Sequence, residues 1–268
     1  MTLANNIRRT VLGGLAAALP INAQADSFFR AVNAPGNQLD QRVSYSETEL
    51  NGKQDRTLTE TSIAKWWPTF IKEENWNAGP WVSAVVPYSS RDNGKAQSSG
   101  LRDVSFSAVG RLQGYLDEQK KDSFNIVLGG GVTLPTGDDR AVPALGTGRT
   151  DVYGELATTS LLGKWQINSA TRYTFTEDKG GKNVPDVLYN GVAVGYQISP
   201  KWIVGVGASA EMQMGKGQSS YQLQAGPIAR FTPNPKSKRV HFEAGARKVF
   251  GKETQEGFNV ALWTRVNF

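Results

Sequence analysis

From residue 38 onward the chain alternates apolar and polar residues with a period of two, in segments of a dozen residues or more. No other feature restricts the fold so strongly. In the last segment Phe258, Val260, Leu262, Thr264, Val266 and Phe268 fall on one face, and Asn259, Ala261, Trp263, Arg265 and Asn267 on the other. Side chains of a β-strand point alternately to its two faces, so this pattern reads as strand. Val240, Phe242, Ala244 and Ala246 oppose His241, Glu243 and Arg247 in the same way, as Phe124, Ile126, Leu128, Val132 and Leu134 oppose Asn125 and Thr133. Tyr221, Leu223, Ala225 and Phe231 likewise oppose Gln222, Gln224 and Arg230. Strands of soluble sheets run to roughly 5 or 6 residues, whereas crossing a bilayer on a tilt takes roughly 9 to 11. These segments have the longer length.

Turn signals divide the chain into twelve segments: 38–50, 54–67, 76–89, 100–116, 122–136, 150–163, 165–177, 185–198, 201–214, 219–232, 238–250 and 256–268. The fold class they predict is all-β, a transmembrane antiparallel up-and-down barrel of about 12 strands, with 10 or 14 as alternatives. An even count brings both termini to one side. If that side is the periplasm, Gly163-Lys164 and Ser199-Pro200-Lys201 are tight inner turns, and Ser90–Ser99, Thr136–Arg149 and Glu177–Pro185 are longer outer loops. Short inside and long outside is the usual asymmetry of outer-membrane barrels. Pro68–Asn75 departs from it as a rather long inner connection. The competing architecture is a secreted β-sandwich or soluble barrel, whose strands would be shorter.

The first 25 residues read as a cleaved export signal. Arg8 and Arg9 form its positive start, Val11 to Ile21 a short apolar core, and Ala23-Gln24-Ala25 the small residues a signal peptidase needs. Residues 26–37 are then a periplasmic leader or a plug, with Phe28 and Phe29 ahead of the flexible Pro35-Gly36 joint. The barrel occupies 38–268. No later stretch has the roughly 18 apolar residues of a membrane helix. The absence of Cys excludes disulfides and thiolate metal sites, and the single His241 excludes most imidazole chemistry. Without a run of Lys or Arg the mildly basic chain gives no sign of nucleic-acid binding. No metal or cofactor is expected.

If the apolar face meets lipid, function lies in the lumen or its loops. By the alternation Lys65, Asp103, Arg111, Glu155, Arg172, Glu211, Arg230, Glu243, Arg247 and Arg265 point inward. One reading is a ladder of mutual ion pairs filling a narrow barrel. The other is a polar pore with a weak preference for anions. No catalytic arrangement is found: the residues after His241 are Phe242 and Glu243, without the Ser of a His-x-Ser hydrolase, and the Asp138-Asp139 pair lies in a turn after Pro135-Thr136-Gly137. The chain is therefore read as no enzyme. Gly129-Gly130-Gly131 lies inside a strand with no helix after it, so it reads as a place where a neighbour comes close and not as a phosphate loop.

The run Gly131-Val132-Thr133-Leu134-Pro135-Thr136-Gly137-Asp138, followed by Leu145-Gly146-Thr147-Gly148 and Thr150-Asp151-Val152-Tyr153, resembles the centre of the outer-membrane proteins named for a meta-pathway of phenol degradation. Val86-Pro87-Tyr88 and Ser99-Gly100-Leu101-Arg102-Asp103-Val104 are similar to two further elements of that family, with Arg102 where Gly is usual. The resemblance implies an exported barrel of about twelve strands in the outer membrane of a Gram-negative bacterium. It also implies transport of small, hydrophobic or aromatic solutes. The alternative is a non-conducting structural or adhesive barrel. Pro135, Thr136, Gly137, Asp138, Gly146, Gly148 and Asp151 carry over as a loop over the mouth, in which Asp151 is expected to accept hydrogen bonds from loop backbone. Phe268 resembles the terminal aromatic by which the barrel-assembly machinery recognises its clients. That machinery, outer-membrane lipid and a small solute are the expected partners.

Overall fold

The computed structural model describes residues 38–50, 53–66, 81–117, 122–178, 184–215, 220–237, 240–252 and 256–267. The export signal, the leader, Phe268 and the Pro68–Asn75 connection lie outside them, as does the side chain of Arg111.

The described residues form thirteen strands: β1 (Gln38–Leu50), β2 (Lys53–Trp66), β3 (Trp81–Asp92), β4 (Gln97–Leu101), β5 (Val104–Asp117), β6 (Asp122–Leu134), β7 (Asp151–Leu162), β8 (Trp165–Thr176), β9 (Asp186–Gln197), β10 (Trp202–Met214), β11 (Tyr221–Phe231), β12 (Val240–Lys252) and β13 (Glu256–Asn267). Every pairing is antiparallel. β1 pairs with β13 as well as β2, β2 pairs with β3, and β3 pairs with β5, so twelve strands close into a barrel. Closure matters energetically, because an open edge in hydrocarbon leaves backbone N–H and C=O groups unpaired at several kcal/mol each.

The expected fourth segment, 100–116, is corrected. The chain turns at Arg102-Asp103, leaving β4 as a short strand paired only with the upper end of β3 and β5 as the barrel strand. The expected Ser90–Ser99 loop is accordingly a hairpin, with Ser90 opposite Ser99 and a turn of only Asn93–Ala96. Pro135 ends β6 as expected, the strand stopping at Leu134.

The outward face is an apolar band bounded by aromatics. At the end carrying Gln38 and Asn267, Trp66, Trp165, Tyr196, Trp202 and Phe242 are exposed, with Trp165 against Tyr196 and Trp202 against Phe231, each pair at 4.8 Å. Toward the other end Phe175, Tyr221 and Phe258 form the second belt. The inward face is buried and mostly polar: Asp151, Tyr153, Glu155, Ala157 and Thr159 alternate inward along β7, while Val152 and Leu156 face out. Gly131 shows why the triple glycine is there, since a Cβ would stand 2.3 Å from the Phe106 carbonyl oxygen and 2.5 Å from the Tyr153 hydroxyl.

The β7–β8, β9–β10 and β11–β12 turns lie at the end that carries the termini, and the 135–150 loop lies at the opposite end. A cysteine in place of Lys95, which is exposed in the β3–β4 turn, should therefore be labelled on intact cells by an impermeant thiol reagent. One replacing Lys201 should be protected until the outer membrane is opened. The reverse pattern would invert the barrel.

Candidate functional site: the lumen and its mouth

The register of neighbouring strands sets inward charges directly opposite one another. Arg172 on β8 stands across from Glu155 on β7 and binds it through both Nε and Nη2, the Nε–Oε2 distance being 3.0 Å. Its guanidinium also lies 4.4 Å from the centre of the Tyr153 ring. Arg230 on β11 faces Glu243 on β12, Nε to Oε2 at 3.2 Å. Arg265 on β13 faces Asp40 on β1 and grips both its oxygens, at 3.0 and 3.1 Å. Lys65 adds a longer contact to Asp40 at 3.7 Å. Arg247 donates to Gln224 at 3.3 Å. Cross-strand placement gives Arg172, Arg230, Arg247 and Arg265 each a partner at hydrogen-bonding distance, without which desolvation would be prohibitive.

The opposite arc of the lumen is lined along its middle by hydroxyls, between Lys65 at one end and the Asp55–Arg91 ion pair, at 2.7 Å, at the other. Thr59 meets Ser89 at 3.3 Å, Ser83 meets Ser107 at 2.6 Å, and Ser105 meets Thr133 at 2.8 Å. Ile63, Val85 and Val127 are buried among them. Among the described side chains the lumen therefore has a mainly neutral stretch along the middle of β2, β3, β5 and β6 and paired charges on β7, β8, β11, β12, β13 and β1, with Lys65 of β2 and Glu211 of β10 at the edges. The neutral wall mixes apolar surface with weak hydrogen-bonding groups, which suits solutes with an aromatic or alkyl body.

Four charged lumen residues go beyond the expected set: Asp55 and Arg91, paired near the mouth at 2.7 Å, and then Asp40 and Arg42. The latter two are buried on β1, where Leu39, Val43 and Tyr45 take the outward positions, and Arg42 stacks 4.6 Å from the Trp263 ring centre. The alternation of Gln38, Asp40, Arg42 and Ser44 was the signal that marks them. Glu211 lies on β10 opposite Gln222 of β11, two residues whose neighbours on the same face are Ser209 and Gln224.

The mouth is built around Asp103. This carboxylate lies at the β4–β5 corner, beneath the loop, and is not part of the ion-pair ladder. Oδ1 accepts from the Gly137 N–H at 3.0 Å, and Oδ2 accepts from the N–H and the hydroxyl of Thr147, both at 2.7 Å. Thr136 fastens the same corner, its hydroxyl donating to the Arg102 carbonyl and accepting from the Val104 N–H. Arg102 and Arg91 donate to the Leu145 and Ala144 carbonyls, and Ser98 to that of Pro143. Burial beside Arg91 pushes the Arg102 guanidinium down to about 10, so it stays charged at neutral pH. The two backbones touch: a Cβ on Gly137 would stand 2.8 Å from the Cα atoms of Arg102 and Gly146, and one on Gly146 would stand 2.6 Å from the Gly137 carbonyl. Only glycine fits either place.

The remaining loop residues shape the loop itself. Asp138 accepts from the Arg140 and Ala141 N–H groups through its side chain, while its carbonyl receives Leu145 and Gly146. Gly148 turns the chain at φ 64. Asp151 departs from its expected part, taking the Arg149 guanidinium at 2.8 Å. The carboxylate that gathers loop backbone is Asp103. Pro143 and Leu145 thus hang inward, both buried, beside the barrel's upper end.

Comparison with known proteins accords with this arrangement. A family profile described as "Putative MetA-pathway of phenol degradation" matches residues 32–265. In structure the chain is similar to the COG4313 outer membrane channel from Pseudomonas putida F1, with a TM-score of 0.69 and 13% identity over 91% of this chain and 98% of that one. A NanC porin structure gives a TM-score of 0.49 at 12% identity, over 86% of this chain and 100% of that one. No curated protein matches the chain in sequence. The first likeness shows the fold, a closed antiparallel β-barrel of the kind that channel has.

Proposed function

The chain belongs to the family described as "Putative MetA-pathway of phenol degradation", and on that footing we propose that it is an outer-membrane channel or transporter for small solutes, hydrophobic and aromatic ones among them. The observation that carries this reading is the two-sided lumen: a closed wall of strands lined on one arc by hydroxyls and aliphatic side chains and on the other by paired charges. An aromatic or alkyl solute passes along the neutral arc, and the paired charges opposite keep the path wetted. The loop held by Asp103 controls entry. In this reading the chain is exported by a Gram-negative cell, loses residues 1–25, and is delivered by the barrel-assembly machinery through Phe268.

Along the described lumen the cations are Arg42, Lys65, Arg172, Arg230, Arg247 and Arg265, against Asp40, Glu155, Glu211 and Glu243, with Arg91 and Asp55 offsetting each other near the mouth. A conducting lumen should therefore favour anions, by a small factor because most of the charges are paired. Reversal potentials across planar bilayers in a salt gradient measure this bias. Replacing Lys65 and Arg247 by Glu should move the potential toward cation preference, and both are chosen because Arg265 already holds Asp40 and Arg247 donates to the amide oxygen of Gln224. An unchanged potential would remove these side chains from the conduction path.

A second reading is a non-conducting structural barrel. It is favoured by the close packing of the lumen, where Thr59, Thr61 and Ser89 have at most 1% exposure. Conductance no higher than that of the bare bilayer, in both the wild type and a variant with its mouth loop released, would select it.

A further inference from the structure

The lipid-facing surface carries two polar interruptions that the transport reading does not use. On β2 the outward residues are Leu58, Glu60, Ser62, Ala64 and Trp66, and Glu60 stands across from Val43 and Tyr88, both exposed. Among the described residues Glu60 makes no hydrogen bond and no ion pair. Beneath it Gln41 donates to Ser62 at 3.0 Å. On the far side of the barrel Thr171 donates to the Asn190 side-chain oxygen at 2.8 Å, and Thr158 meets Ser169 at 2.9 Å. With its oxygen taken, Asn190 presents its amide N–H₂ outward. One face thus offers an unsatisfied acceptor and the other an unsatisfied donor, each at a place where hydrocarbon would leave it unpaired.

The two faces also match in depth. Glu60 and Ser62 lie six and four residues above Trp66 on β2, and Thr171 and Ser169 lie six and four residues above Trp165 on β8. Asn190 lies six residues above Tyr196 on β9. All three aromatics belong to one belt, so polar groups of equal height face away from the barrel on both sides. In the ring of twelve strands β2 and β8 are separated by β3, β5, β6 and β7 on one side, which places the faces nearly opposite each other. Two copies with the same up-down orientation, the only one membrane insertion provides, can therefore meet face to face.

We infer that copies of this chain associate side by side in the membrane, the β1–β2 face of one docking on the β7–β9 face of the next, with the Glu60 carboxyl accepting from the Asn190 amide. The two faces differ, so the contact is head-to-tail. It extends into rows and does not close as a two-fold dimer.

The chain has no cysteine, so introduced ones report this contact alone. The full chain carrying Ser62→Cys and Ser169→Cys, reconstituted in phospholipid vesicles and oxidised with copper phenanthroline, should give a ladder of dimers, trimers and higher species on non-reducing gels. Each single variant should stay monomeric, and a mixture of the two single variants should stop at dimers. A chain with Val206→Cys and Leu262→Cys, exposed on other lipid-facing strands, measures chance collision and should give no ladder. Adding Glu60→Leu and Asn190→Leu to the first pair should reduce the ladder several-fold. Cross-linking by either single variant would mean a two-fold contact, and equal ladders from both cysteine pairs would mean collision. Absence of a ladder from a barrel with normal heat-modifiable mobility would mean that these faces meet lipid. Each of those results overturns the proposal. Should the double variant fail to insert, the mixed single variants decide the question.

Discussion

Asp103→Ala should release the loop over the mouth, so that trypsin cuts after Arg140 in the folded barrel and single-channel conductance rises above wild type. One carboxylate holds three donors there, Gly137 N–H, Thr147 N–H and the Thr147 hydroxyl, and no other described group replaces it. A hydrogen bond to a charged acceptor is worth about 1.5–3 kcal/mol, so losing even one raises the open population about ten- to hundredfold. Asp103→Asn keeps one acceptor oxygen but turns an N–H₂ toward backbone donors, and should fall between wild type and Ala. Gly146→Val should reproduce the effect by another route, since its Cβ would stand 2.7 Å from Asp103 Oδ1 and 2.6 Å from the Gly137 carbonyl. The barrel itself should remain folded in all three, because the latch lies beyond the strand ladder. Unchanged protease resistance and conductance in Asp103→Ala would show that the loop is held by its other contacts, those of Arg91, Ser98 and Arg102.

The second large effect is expected at the Glu155–Arg172 pair. Its side chains have 8% and 3% exposure, so Glu155→Leu takes from a buried guanidinium the carboxylate that both its Nε and Nη2 bind. Removing one partner of such a pair typically costs about 3–5 kcal/mol, whereas replacing both by apolar residues is often neutral or better. Denaturant midpoints of the barrel refolded in detergent should accordingly fall sharply in Glu155→Leu and in Arg172→Leu. They should return close to wild type in the double variant. A double variant no better than the single ones would mean that Arg172 is needed for more than pairing Glu155, with the Tyr153 stack the first contact to test.

The strands were legible because lipid on one side and water or side chains on the other force a strict two-residue period over a dozen residues. Most of the ladder of charges follows from the same parity. Asp40 and Arg42 obey it too, in a segment whose outward residues Leu39 and Val43 mark the face clearly. Less legible was anything that depends on which strand lies beside which. That Arg230 meets Glu243 and Arg265 meets Asp40 follows from register, and Asp40 and Arg265 are 225 residues apart. The break at Arg102-Asp103 was hidden for a different reason. Alternation continues through Ser99 to Val104 with little disturbance, and the turn is fixed by contacts with the 135–150 loop. The loop motif was visible as a string of Pro, Gly and Asp, yet the residue that organises it, Asp103, comes from 32 positions before Pro135 and gave no local sign of that role.

Carriage of small aromatic solutes across the outer membrane is tested most directly by the initial uptake rate of labelled toluene or phenol. The comparison is between cells whose outer membrane contains the barrel and cells lacking it, with insertion verified by heat-modifiable mobility. Uptake should be faster with the barrel, and faster still when Asp103→Ala opens the mouth. Equal rates in all three strains would contradict such carriage.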